Sequence, residues 1–292
     1  MFSFKHRVFG MSLPEMILTT ALYTVVLGVL FAIVKTGTDS WREVQARSAA
    51  QLMLRNVENY MLDDLRRAGA GESLMKTKNL GDGKFAMWFL SAMGYDDVGD
   101  TNKQVFTRSV AGAPVWKRNI LYYVIPISPE WHEKRFGYKI CPPATCPHKL
   151  LLRKEIVYPG DTSNNFVEAT LIPDLPTSGS GVYIDNFIGS TPNNLDFRGE
   201  LTDANKLRTR GCKSCICLGE NIKDFSVTIP ALDASGLPTQ SWCTIKIGVF
   251  RADDAARTIN VQKAMEAINS SSDQNLINRF MMTYEFRVVP NN

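Results

Sequence analysis

The first 35 residues constrain this chain more than any others. A short basic leader, MFSFKHRVFG, runs directly into MSLPEMILTTALYTVVLGVLFAIV, an apolar run interrupted near its start by one carboxylate, Glu15. Residues 13–34 supply about the 20 apolar residues that a membrane-spanning helix needs. A secretory signal would end at a small-residue cleavage site, whereas Lys35 and a polar stretch follow here, so the apolar segment is expected to stay in the mature protein. Lys5, His6 and Arg7 suit the side of a membrane that retains positive charge.

An ionised carboxylate within the hydrocarbon layer costs several kcal/mol, about 2.5–3.5 for Asp at a helix centre on insertion scales, so Glu15 is a functional candidate. It either meets an amine or snorkels to the headgroups near the helix end. Thr19, Thr20 and Thr24 can return their hydroxyls to the backbone. Ala21, Gly28 and Ala32 either line a contact with another helix or are small residues scattered by chance.

After Lys35 the pattern becomes amphipathic. Leu54, Val57, Met61, Leu65 and Ala68 recur three or four apart, while Arg55, Glu58, Asp63 and Arg66 lie off that stripe. A helix over 14–68, about 80 Å long, is expected, stopped by Gly69 and Gly71. From Glu72 onward the chain reads as short strands between Gly- and Pro-containing loops. The best candidates are 84–90, 119–125, 150–158, 182–188, 222–229, 244–250 and 280–289, with a helix interrupting at 258–269. The expected fold class is α+β: a long N-terminal helix, membrane-spanning in its first half and amphipathic in its second, packed on a mainly antiparallel sheet. The domain boundaries that follow are a leader at 1–10, a transmembrane and assembly helix at 11–70 and a β-rich head at 71–292.

The segment G-M-S-L-P-E, with Gly10, Met11 and Glu15, resembles the processing site of type IV pilins and pseudopilins. MLDDLRRAGAG, NILYYVIP, LLLRKEIVYPG, NIKDFSVTIPALDASG, SWCTIKIGVFRA and FMMTYEFRVVPNN are similar to J-type minor pseudopilins and PilW-like minor pilins. The resemblance implies cleavage by a prepilin peptidase between Gly10 and Met11 and N-methylation of Met11. It also implies pairing of Glu15 with the N-terminus of a neighbouring subunit. A wrong register would leave one charge buried alone. It further implies a pilin-like, lollipop-shaped subunit, held by one span in the inner membrane with an extracytoplasmic head and later incorporated into an extracellular or periplasmic fibre. Its partners would be other major and minor pilins or pseudopilins and the inner-membrane assembly platform. The machine could be a pilus, a secretion system or a DNA-uptake fibre. Unlike major pilins, this segment has no helix-breaking proline near its end.

All six cysteines fall after the helix: Cys141, Cys146, Cys212, Cys215, Cys217 and Cys243. Outside the cytoplasm they read first as disulfides, with Cys141 and Cys146 the natural local pair. The other four leave several pairings open. The alternative is zinc, held by the C-x2-C-x-C run at 212–217 with His148 or another cysteine. Asp96, Asp97, Asp100 and Asn102 offer oxygen ligands to calcium, but without the loop spacing of an EF-hand they also read as a solvated turn.

The formal charge is +4, and removing Lys5 and Arg7 would leave +2. Mixed charges give no nucleic-acid footprint, and Lys206, Arg208 and Arg210 read as a solvated loop. No nucleophile elbow, zinc-protease pair or phosphate-cradling loop is found, so the sequence points to a structural subunit and not an enzyme. Two other readings keep the same anchor: a tip adhesin binding through loops at 126–147, and a single-span membrane protein that is never cleaved.

Overall fold

A computed structural model describes residues 12–69, 74–81, 84–95, 104–106, 108–127, 133, 148–156, 169–174, 183–188, 212–229, 235, 242–250 and 281–290. The chain divides into two compact units, Met1–Ser48 and Ala49–Asn292. One helix, α1 (Leu13–Leu65), begins in the first and ends in the second.

Within the first unit α1 has no buried residue; Ala50 is the first that it buries. The helix is long and apolar enough to cross a membrane. Thr19, Thr20 and Thr24 donate their hydroxyls to the carbonyls of Glu15, Met16 and Thr20 at 2.7, 2.7 and 2.8 Å. Each hydroxyl thereby finds an acceptor without water, as an apolar surrounding demands.

The second unit is built on a seven-stranded antiparallel sheet. Its strands are β1 (Met75–Gly81), β2 (Lys84–Ser91), β5 (Arg118–Pro126), β6 (Lys149–Ile156), β7 (Cys212–Thr228), β8 (Cys243–Phe250) and β9 (Met281–Val288), in that spatial order. A separate two-stranded ladder joins β3 (Met93–Tyr95) to β4 (Gln104–Phe106). The fold is therefore the expected α+β. The stripe read from the sequence is the buried face of the helix: Leu54, Val57, Met61 and Leu65 are at most 3% exposed, and Ala68, just past the helix, is fully buried.

These residues pack on one sheet face, against Met87, Phe89, Ile120, Tyr122, Val124, Ile245 and Ile247 among others. The opposite face carries Ala86, Trp88, Leu121, Tyr123, Leu150 and Leu152, covered by Ile172, Ile184 and Phe187. Successive strand residues point to opposite faces, so covering both faces buries every residue of β5 and β6. The cover is fastened by polar bonds. Trp88 Nε1 donates to the Ile172 carbonyl at 2.9 Å, Asn119 pairs with the backbone of Thr170 and Ile172, and Lys154 Nζ donates to the Phe187 carbonyl at 2.8 Å. At the edge, Lys78 of β1 bonds both Asp174 and Asp185. The Asp174 hydrogen bond outweighs partial burial of the ammonium and raises its pKa.

Two expectations change here. Within 182–188 the chain forms a 3-10 turn at Ile184–Asn186 in place of a strand. Ile184 and Phe187, three apart, both enter the second core, and the apolar run that read as extended serves this turn. The helix ends at Leu65, slightly before its expected end; a Cβ on Gly69 would lie 2.4 Å from Leu74 Cδ1 and 2.8 Å from the Trp116 ring, so only glycine fits this close passage. The proposed helix at 258–269 lies outside the described residues.

Candidate functional site

Glu15 stands at the start of α1. The amide of Met16 donates to the Ser12 carbonyl, which makes Ser12 the N-cap and Glu15 the third helical residue. Glu15 Oε2 accepts from the Ser12 amide at 2.9 Å and from its hydroxyl at 2.8 Å. The carboxylate reaches back as in a capping box and satisfies a donor that the first helical turn leaves over. Its negative charge also faces the positive end of the helix dipole. The signal S-x-x-E is plain in Ser12 to Glu15, but the sequence reading treated the carboxylate only as a lone intramembrane charge. Pro14, in the first turn, needs no intrahelical donor. Among the described residues both bonds fall on Oε2, leaving Oε1 to accept from elsewhere. Gly10 and Met11, on either side of the expected cleavage point, lie outside the described residues.

The cysteines separate. Cys141, Cys146 and the side chain of Cys212 lie outside the described residues. Cys215 and Cys217 sit on β7 opposite Lys154 and Leu152. Cys243 opens β8, fully buried, with its Sγ 3.7 Å from Met75 Sδ. Thr228, at the far end of β7, is the residue opposite Thr244. Cys217 packs against the core on one face of the sheet and Cys243 lies in the core on the other, so the two thiols are not neighbours. Among the described residues no disulfide joins Cys215, Cys217 and Cys243.

His148 does not approach the thiols either. Its Nδ1 lies 2.8 Å from Asn221 Oδ1 and its ring meets Phe250 edge-on at 5.3 Å. Leu152, opposite Cys217, is four residues further on, about 13 Å at strand rise. The zinc set joining His148 to the cysteine run is thus not brought together, and no cluster of three metal-ligating side chains occurs among the described residues. Asp96, Asp97, Asp100 and Asn102 lie outside them.

Burial pushes the Cys243 thiol up to about 11, from an ordinary value of 9.0. Below pH 9 the thiol is protonated in both folded and unfolded chains, and stability is unaffected. Between 9 and 11 only the unfolded chain ionises, so stability falls as pH rises, approaching about 1.4 kcal/mol per pH unit for this one group. Urea midpoints measured from pH 8 to 11 should fall across that window, and more shallowly in Cys243→Ala. Identical slopes would show that the thiol ionises equally in both states.

The strongest electrostatic feature of the second unit is one that the sequence reading missed. Asp64, near the C-terminal end of α1, is 6% exposed and lies under the sheet among Arg118, Tyr122, Arg153 and Glu155. Arg153 donates Nε to Asp64 Oδ2 at 2.5 Å, Nη2 to Oδ1 at 2.9 Å and Nη1 to Glu155 Oε1 at 2.6 Å. Arg118 Nη1 donates to Glu155 Oε2 at 2.6 Å, and the Tyr122 hydroxyl donates to Asp64 Oδ2 at 2.5 Å. Two carboxylates and two guanidiniums make the chain of charges neutral. Burial first, then the Asp64 charge, hold the Tyr122 phenol well above its usual value. For Arg153, burial favours the neutral form, but the Asp64 contacts outweigh it and hold the guanidinium above its ordinary value. An acidic residue at a helix C-terminus opposes the dipole, so Asp64 depends on this pairing. Asp63, its neighbour, instead turns outward to Arg67 at 2.7 Å.

Fold and site together define an α+β chain with a capped, membrane-length apolar helix and a strand-rich second unit pinned by buried ion pairs. No family model, curated protein or solved structure matches it.

Proposed function

We propose that this chain is a minor pilin or pseudopilin: a structural subunit that primes assembly of, or caps, a type IV pilus or type II secretion pseudopilus, and that does no catalysis. In this reading a prepilin peptidase cuts between Gly10 and Met11, Met11 is N-methylated, and α1 holds the subunit in the inner membrane until it enters the fibre beside other pilins.

One observation carries the reading. A single helix buries none of the described residues of its apolar half, opens on a carboxylate, and gives its last turns to the core of an antiparallel sheet. An apolar surface of that length left uncovered belongs against lipid or other helices. Glu15 at its mouth suits an amine brought by a neighbour, because a desolvated pair is attractive only when both charges meet.

Glu15→Gln separates this role from helix capping. Glutamine keeps a side-chain oxygen for Ser12 but removes the charge. Membrane insertion and leader cleavage should stay at wild-type levels while incorporation into fibres falls at least about tenfold, the equivalent of 1.4 kcal/mol. Normal incorporation, read by immunoblot of sheared fibres, would remove the charge from the mechanism.

A further inference from the structure

We propose that Cys215 and Cys217 form a two-thiolate site for a soft monovalent metal ion, copper(I). The inference rests on the sheet of the second unit and holds whatever role α1 has.

The register of β7 places the pair. Cys215 and Cys217 stand opposite Lys154 and Leu152, with Ile216 opposite Arg153 between them and no irregularity in that stretch. Successive strand residues point to opposite sides of a sheet, so the two cysteines share a face. It is the face of the second core. Leu152 belongs to that core, Cys217 packs against it, and Lys154 Nζ donates there to the Phe187 carbonyl at 2.8 Å. Both cysteines are only half-buried, which leaves a path for an ion from solvent, whereas Cys243 is closed inside the other core.

Spacing decides what two thiols can do here. Positions two apart on a strand hold their Cβ atoms about 6.6 Å from each other. A disulfide needs them near about 3.8 Å, so these two cannot bond each other without buckling the strand, and neither is in a disulfide. A metal ion between the sulfurs instead adds two bonds of about 2.3 Å each, and sulfurs that lean together by about 1 Å apiece meet that span in a straight line.

A straight two-sulfur site suits copper(I) better than zinc. Zinc in a structural site takes four ligands in a tetrahedron, and no third His, Cys, Asp or Glu joins the pair among the described residues. Soft thiolates select copper(I). Charge agrees with this choice. Two thiolates around one copper(I) carry a single negative charge, and the ammonium of Lys154, 7% exposed and opposite Cys215, balances it beside the apolar cover. Each thiol gives up its proton on binding, so uptake of one ion releases two protons and tightens as pH rises.

The test takes the reduced full chain in detergent micelles, without oxygen, and adds copper(I) alone against a coloured copper(I) chelator. The wild type should draw a single copper from the chelator and show two sulfur neighbours by X-ray absorption. Cys215→Ser and Cys217→Ser should each weaken binding at least about hundredfold, because changes beyond the ligands already cost about 10–100-fold. Cys212→Ser, Cys243→Ser and a Cys141→Ser, Cys146→Ser double variant remove no ligand and should stay within about threefold of wild type. Melting curves of all the variants, each a near-isosteric change, should match wild type. A wild type that leaves the copper with the chelator overturns the proposal. So does tight binding kept when Cys215→Ser and Cys217→Ser are combined, a third sulfur neighbour, or an equal loss in any of the controls.

Discussion

Asp64→Ala should destabilise the second unit by about 3–5 kcal/mol, the cost of removing one partner from a buried ion pair. The alanine leaves the Arg153 guanidinium, 4% exposed, with Glu155 as its one carboxylate partner among the described residues, and takes the acceptor from the Tyr122 hydroxyl. Set against a total stability of about 5–15 kcal/mol for a typical domain, this is enough to leave much of the protein unfolded at growth temperature. Denaturant titration followed by tryptophan fluorescence measures it, since Trp88 sits in the core on the far side of the sheet. Arg153→Lys should rescue little, because a point ammonium cannot repeat the two-pronged contact with Asp64. A loss under about 1 kcal/mol in Asp64→Ala would mean that water reaches the pair and that it behaves as a surface contact.

Truncation should divide the chain sharply. A chain beginning at Ala49 keeps every residue of the described core, because Ala50 is the first helix residue that is buried. It should be soluble without detergent and unfold in one cooperative transition. A chain beginning at Gly69 loses Leu54, Val57, Met61 and Leu65 from the main core, and Asp64 with them. At about 1.5–3 kcal/mol for each large apolar side chain, the loss rivals the whole stability of the domain. That shorter chain should not fold, as judged by the absence of a cooperative melt and by dye binding to the exposed sheet face. A cooperative fold without the helix would show that the sheet closes its own core.

Much of this architecture is legible in the residues, and the illegible parts share a cause. The three- and four-residue spacing from Leu54 to Leu65 marks the helix face because a single helical stripe is either buried or not. FSVTI and TIKIGVF mark strands by alternation. By contrast β1, MKTKNLG, alternates weakly and carries lysines, as an edge strand does, and the sequence reading passed over it. The first part of β7, CKSCICLG, was likewise hidden behind its cysteines, whose spacing suggested ligands more strongly than it suggested a strand.

Burial of Arg118, Lys149, Arg153, Lys154 and Glu155 was unreadable for another reason. Charged residues in a strand normally mark a solvated face, but here α1 covers the face that carries Arg118, Arg153 and Glu155, and Lys154 on the opposite face is covered by Phe187. Asp64 next to Asp63 posed the same problem on the helix: two adjacent acids lie about 100° apart, and which one turns inward depends on Arg153, a residue far along the chain. At the N-terminus the spacing of Ser12 and Glu15 carries the capping contact openly, whereas the identity of a partner for the Glu15 charge belongs to another molecule.

The most direct test of the proposed function is the mass of the mature N-terminus, measured by peptide mass spectrometry on protein extracted from cells that hold the prepilin peptidase. A processed subunit should yield a peptide that starts at N-methyl-Met11, with Ser12 and Glu15 following. Recovery of peptides that still join Gly10 to Met11, with no methylated species, would contradict it and leave α1 as the anchor of an ordinary membrane protein.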